Sequence, residues 1–118
     1  MEKTVYYLST CDTCKRIMKE VGVSEEYNLI DLKQNRLSED EIYFFISKVE
    51  NALDLVNKRA IIYKELDLKS KLLSEDEIVS LLIQHYTLIK RPIFIIGEDA
   101  FIGNNRAVIE KVKSILLL

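Results

Sequence analysis

The first 32 residues constrain the fold most, because they place two short strand-forming runs on either side of one helix-forming run. Thr4 to Leu8, read as TVYYL, is rich in β-formers and suits a buried strand. Ser9 and Thr10 follow with hydroxyls able to cap a helix that begins near Asp12, runs to Val21 and stops at Gly22. Glu26 to Leu32, read as EYNLIDL, alternates polar and apolar residues as a second strand does. A strand, a helix and a strand joined this tightly predict two parallel strands with a right-handed crossover.

Two matching helix starts come next, Leu37-Ser38-Glu39-Asp40-Glu41-Ile42 and Leu73-Ser74-Glu75-Asp76-Glu77-Ile78. Each has a serine followed three residues later by glutamate, with apolar residues on both sides, which is a capping box with a staple. The sequences after the two copies diverge and no third copy appears, so they do not mark a repeat array. Between them, Ala52 to Leu66 reads as short helices and turns. Toward the C-terminus, Pro92 to Ile96 forms an apolar strand, Gly97-Glu98-Asp99 a turn, Ala100 to Gly103 a further strand, and Asn105 to Leu117 a closing helix. The order β-α-β, helices, β-β-α predicts an α/β chain with a thioredoxin-like fold, a mixed four-stranded sheet flanked by helices. A helical insertion of about 37–89 interrupts it. With 118 residues, 48% of them hydrophobic, one domain over 1–118 accounts for the whole chain.

The net charge of −2, with lysine and arginine spread along the chain, provides no field for direct nucleic-acid binding, although a local basic site fits. The apolar N-terminal run of about five residues is too short for a secretory signal, and no segment approaches the ~20 residues that cross a bilayer. A cytoplasmic protein without membrane attachment is expected. In that reducing compartment, two cysteines three positions apart are redox-active, metal-binding, or ordinary half-buried residues at a helix start.

Zinc needs about four ligands, and the only other soft ligand is His85, so no metal site is expected. His85, before Tyr86 and Thr87 at a helix end, reads as a capping or packing group rather than a catalytic base. Cys11 falls where the free N–H groups of a helix favour an anion, and Lys15 and Arg16 add positive charge while Asp12 opposes it. Cys14, one turn on, is placed to attack a disulfide or adduct formed at Cys11. Arg91 precedes the only proline, Pro92. In a thioredoxin-like fold that proline lies opposite the cysteine loop with a cis peptide bond, so Arg91 faces the thiolate. Arg59, in NKRAIIYKEL, reads equally well as a solvated surface residue.

Three segments, YYLSTCDTCKRI, LVNKRAIIYKEL and LIQHYTLIKRPIFIIG, occur in the order and at about the spacing of the glutaredoxin-dependent arsenate reductase family, which the chain resembles over essentially its full length. That family also contains the Spx-type transcription regulators. The resemblance implies Cys11 as nucleophile, Arg59 and Arg91 as oxyanion-binding arginines, and arsenate or a similar small oxyanion as substrate. It further implies no bound cofactor, with glutathione and glutaredoxin, or thioredoxin, as reductant. Family members resemble C-x-x-S-R at the site, where this chain has Cys11-Asp12-Thr13-Cys14-Lys15. They also carry a third arginine just before the last helix, where this chain reads Gly103-Asn104-Asn105-Arg106, so Arg106 is a candidate for that role. The Cys11/Cys14 pair is similar to that of the Spx-type proteins and implies an alternative, a redox-switched regulator whose partner is RNA polymerase. Those regulators carry a longer charged tail after the final helix, whereas this chain ends in Leu116-Leu117-Leu118, which favours the reductase.

Overall fold

The computed structural model describes residues 2–116, which divide into two compact units, one of residues 2–35 with 91–116 and one of 36–90. The first unit is built on a four-stranded sheet of β1 (Lys3–Tyr7), β2 (Asn28–Asp31), β3 (Ile93–Ile96) and β4 (Asp99–Ile102), in the order β2-β1-β3-β4. β1 and β2 are parallel, and the other neighbouring pairs are antiparallel. The connection between the parallel strands is helix α1 (Asp12–Val21), and helix α5 (Arg106–Leu116) closes the unit and packs against α1. Val5, Phe94 and Ile96 of the sheet bury themselves with Tyr27 against Ile17 and Val21 of α1 and Ile109 and Val112 of α5. The fold is thioredoxin-like and α/β, with a mixed four-stranded sheet and flanking helices.

Local chemistry explains where the elements differ from the sequence expectation. β1 spans Lys3–Tyr7, so Leu8 has left the ladder and its carbonyl instead accepts from the Cys11 N–H at 2.9 Å. β2 is shorter than EYNLIDL because the chain turns at both ends: the Tyr27 N–H donates to the Ser24 carbonyl, and the Lys33 N–H donates to the Asp31 side chain. β3 begins after Pro92, which has no N–H for a ladder. The hairpin turn is the pair Gly97-Glu98, with Gly97 at φ 63°, so β4 starts one residue earlier than expected. Gly103 ends β4 with φ 103°, and its N–H donates to the Pro92 carbonyl at 2.9 Å. The last helix begins after Asn105, whose side-chain oxygen caps the Val108 N–H at 2.9 Å. Leu117, also expected in that helix, lies outside the described residues.

The second unit contains α2 (Glu39–Ile46), α3 (Ile61–Glu65) and α4 (Glu75–Gln84), with 3₁₀ turns between them at Ala52–Leu55 and Leu68–Ser70 and another after α4 at Tyr86–Leu88. Both expected capping boxes form. Ser38 and Ser74 each accept from the backbone N–H of Glu41 and Glu77 at 3.2 Å, and each glutamate accepts from its serine's N–H at 3.0 Å. Helices α2 and α4 pack together, and the Tyr43 hydroxyl of α2 donates to Asp76 of α4. Val56 and Ile89 form an isolated antiparallel bridge that holds the segment after the first 3₁₀ turn beside the end of this unit's chain.

Candidate functional site

The turn between β1 and α1 carries Cys11 and the first turn of α1 carries Cys14, at the C-terminal ends of the parallel strands, where open α/β sheets present their sites. The helix cap there corrects the sequence expectation: neither Ser9 nor Thr10 caps α1. Cys11 is the N-cap, in extended conformation, and its Sγ accepts from the Cys14 N–H at 3.5 Å. A sulfur in the place of a capping oxygen faces the free N–H groups of the first turn, where partial positive charge favours a thiolate.

Burial acts on Cys11 to raise its pKa. Hydrogen bonds from the Cys14 backbone and thiol and from the Arg91 side chain, together with the Arg91 charge, outweigh it and bring the pKa below the ordinary thiol value. Arg91 lies half-buried before the cis Arg91-Pro92 bond, and its guanidinium is the cation at the sulfur. Lys15 and Arg16, expected to contribute, are exposed on the outer side of the helix. Cys14 is at 0% exposure, and its pKa is pushed up to about 12, first by burial and further by the negative Cys11 beside it, with a Leu8 backbone hydrogen bond acting against both. Both thiols are free. The pair is therefore unequal: one exposed-edge sulfur inclined to ionise, and one buried thiol that keeps its proton and donates it to the first.

Arg106, the candidate third arginine, is engaged elsewhere. Its guanidinium grips both oxygens of Glu20 at 2.9 Å, with Lys113 adding a contact at 3.4 Å. Glu20 lies nine residues beyond Cys11, about 13 Å along α1 at 1.5 Å per residue. Arg59 belongs to the second unit, where it is exposed and its N–H donates to Asn57 Oδ1 at 3.1 Å. His85 ends α4, its N–H donating to the Leu81 carbonyl, and no three His, Cys, Asp or Glu side chains gather for a metal among the described residues.

The residue that sequence reasoning missed is Asp31, at the end of β2 and 9% exposed. Its Oδ1 accepts from the Ser9 N–H at 3.3 Å and the Lys33 N–H at 3.1 Å, and the Ser9 hydroxyl donates to the same carboxylate. Its only sequence signal is a carboxylate inside an otherwise apolar stretch, Leu29-Ile30-Asp31-Leu32.

A thioredoxin-like frame with a cysteine capping the first helix, opposite an Arg-cis-Pro pair, defines the class. The chain belongs to the ArsC family, whose sequence pattern matches residues 6–112. An arsenate reductase from Vibrio cholerae superposes with a TM-score of 0.78 at 22% identity, covering 98% of each chain. An arsenate reductase (ArsC) related protein from Brucella melitensis superposes with a TM-score of 0.71 at 22% identity over 94% of this chain and 93% of that one. A Staphylococcus aureus protein solved in solution is 33% identical over 92% of this chain and 96% of its own, with a TM-score of 0.72. No curated protein matches significantly in sequence. No helix among the described residues is long and apolar enough to cross a membrane.

Proposed function

We propose that the protein is a thiol-dependent reductase of arsenate-like oxyanions, with Cys11 as nucleophile and Cys14 as resolving thiol. The observation that carries the reading is the Cys11 sulfur at the cap of α1 with the Arg91 side chain hydrogen-bonded to it. An anion drawn to that point meets N–H donors and a guanidinium fork beside a sulfur that ionises readily. Arg59 is assigned as the second oxyanion-binding arginine on the family resemblance.

In the first step the Cys11 thiolate bonds to As(V) of protonated arsenate and a hydroxyl leaves as water, giving a thioester-like S–As adduct. Bonding to arsenic takes the thiolate charge off the Cys11 sulfur and removes one cause of the raised Cys14 pKa, while burial remains, and Cys14 gives its proton to an arsenic-bound oxygen of the adduct as it reacts. Its sulfur attacks Cys11 Sγ, the S–As bond breaks, and the electron pair stays on arsenic as As(III). Arsenite departs and a Cys11–Cys14 disulfide remains. Two electrons and two protons from two glutathione thiols, delivered with glutaredoxin, or from a thioredoxin dithiol, then restore both cysteines. The electrons travel as thiol pairs, so no bound cofactor takes part.

A steady-state assay with arsenate, glutathione and glutaredoxin, repeated with thioredoxin, tests this reading. Turnover abolished by Cys11→Ser is the expected result. Absence of turnover with every thiol donor removes the enzyme reading, and a pull-down of RNA polymerase under oxidising and reducing conditions then tests the regulator.

A further inference from the structure

We infer that Asp31 is the positioning residue of the reactive cysteine, fixing through Ser9 the loop that holds the Cys11 sulfur on the end of α1. This rests on the reading of Cys11 as the nucleophile.

Asp31 is the last residue of β2, paired in register with Tyr7, the last residue of β1. Beyond Tyr7 only Leu8, Ser9 and Thr10 separate the strand from the helix cap. Two backbone bonds tie the ends of this short loop: the Leu32 N–H to the Tyr7 carbonyl at 2.8 Å, which continues the ladder, and the Cys11 N–H to the Leu8 carbonyl at 2.9 Å, which closes a turn. Side chains add two ties: the Leu8 backbone bonds the Cys14 thiol, and the middle of the loop is held by Asp31 through the Ser9 N–H and the Ser9 hydroxyl.

The same carboxylate oxygen accepts from the Lys33 N–H, and the Asp31 carbonyl accepts from the Gln34 and Asn35 N–H groups at 3.0 and 2.9 Å. The carboxylate is thus anchored by the turn after β2 on one side and anchors the cysteine loop on the other. A buried carboxylate costs solvation unless its oxygens are bonded, and here the donors come from the loop that must be held. The Cys11 Sγ accepts its capping bond at 3.5 Å, an ordinary length for a sulfur acceptor, and because Cys11 is carried by this loop a shift of the loop moves the sulfur off the Cys14 N–H. Ordering that loop in advance is what a nucleophile needs to meet an incoming anion.

Peptide-resolved alkylation by iodoacetamide, measured against pH in the full-length protein, reads the Cys11 ionisation without requiring arsenate turnover. Asp31→Ala is expected to move the Cys11 inflection upward, so that alkylation below the inflection slows by up to about tenfold per pKa unit. Ser9→Ala removes one of the bonds and should move it less. Asp31→Asn keeps an acceptor for the two N–H groups and should fall between Asp31→Ala and the parent. A purely structural role would lower the melting temperature and leave the inflection in place. If Asp31→Ala is folded and its inflection matches the parent, the inference is overturned. Should Asp31→Ala not fold, unmoved inflections in both Ser9→Ala and Asp31→Asn overturn it. A parent inflection at or above the free-thiol value of about 8.5 instead sinks the nucleophile reading, and this inference with it.

Discussion

Arg91 and the sulfur it bonds show how one side chain supplies both charge and geometry. A lysine at this position keeps the charge but presents a single rotating ammonium in place of a planar fork. Two effects should then separate. Arg91→Lys is expected to move the Cys11 alkylation inflection only slightly while lowering kcat/KM for arsenate by at least tenfold, on the order of one charge-assisted hydrogen bond of about 1.5–3 kcal/mol. Parallel measurement of alkylation and steady-state kinetics checks this, and an unchanged kcat/KM would remove Arg91 from the oxyanion site. Its place beside the sulfur was legible in the sequence because a lone X-Pro pair before a strand has few structural meanings in a thioredoxin-like order of elements. The identity of the helix cap was not, since Ser9, Thr10 and Cys11 are adjacent and the sequence gives hydroxyls the better claim as caps. Only the backbone path after Leu8 decides among them.

Among the elements, α1 is held at both ends by different means. Its N-terminus is closed by the cysteine sulfur, and its C-terminus at Gly22 adopts φ 79°, with Glu20 on the last turn gripped by Arg106 and Lys113 of α5. The grip lies partly in solvent, where such ion pairs contribute about 0.2–1 kcal/mol. Arg106→Ala should therefore lower stability by no more than about 1 kcal/mol, read by chemical denaturation, and leave the KM for arsenate within twofold of the parent. A large rise in KM would place Arg106 in the oxyanion site. Sequence spacing made Arg106 a candidate because it opens the last helix, and spacing alone cannot say which way a long side chain reaches. Glu20 is too far along the chain to announce itself as its partner. The capping boxes at Ser38 and Ser74 were legible to the residue, because their partners are three positions away and need no tertiary information. Element order was likewise readable from patterning. Strand ends were not, since they depend on pairing with strands distant in sequence, as at Leu8, and on side chains such as Asp31 that turn the backbone away.

Over the whole molecule, titrating groups on both units shape stability against pH. Asp31, through its hydrogen bonds from Ser9 and Lys33, and Glu77, through those from Ser74, have folded pKa values below their ordinary ones. Their contribution is present above the unfolded values near pH 4 and is lost as pH falls through the lower folded values. Cys14 acts at the other end. Its folded pKa of about 12 exceeds the unfolded value, so its contribution is present below about pH 8.5 and is lost as pH rises from there toward 12. Melting temperature plotted against pH should be a plateau with two falling limbs. Tyr43, raised by its hydrogen bond to Asp76, and Tyr27, raised by burial, contribute to the same alkaline limb. Cys14→Ser should therefore make it shallower without removing it and leave the acid one unchanged. An unaltered alkaline limb in that variant would show that the buried thiol takes no part in it.

The capping sulfur gives the start of α1 an unusual dependence. An ordinary cap is chemically inert, so the order of a helix's first turn is a constant of the fold. Here the acceptor is also the atom at which bonds are made, and any group attached to it draws electron density off the sulfur and weakens the bond it accepts from the Cys14 N–H. The Cys14 amide is therefore expected to exchange with solvent faster when Cys11 is modified and to slow again when the thiol returns, so that one proton should report the chemical state of the sulfur.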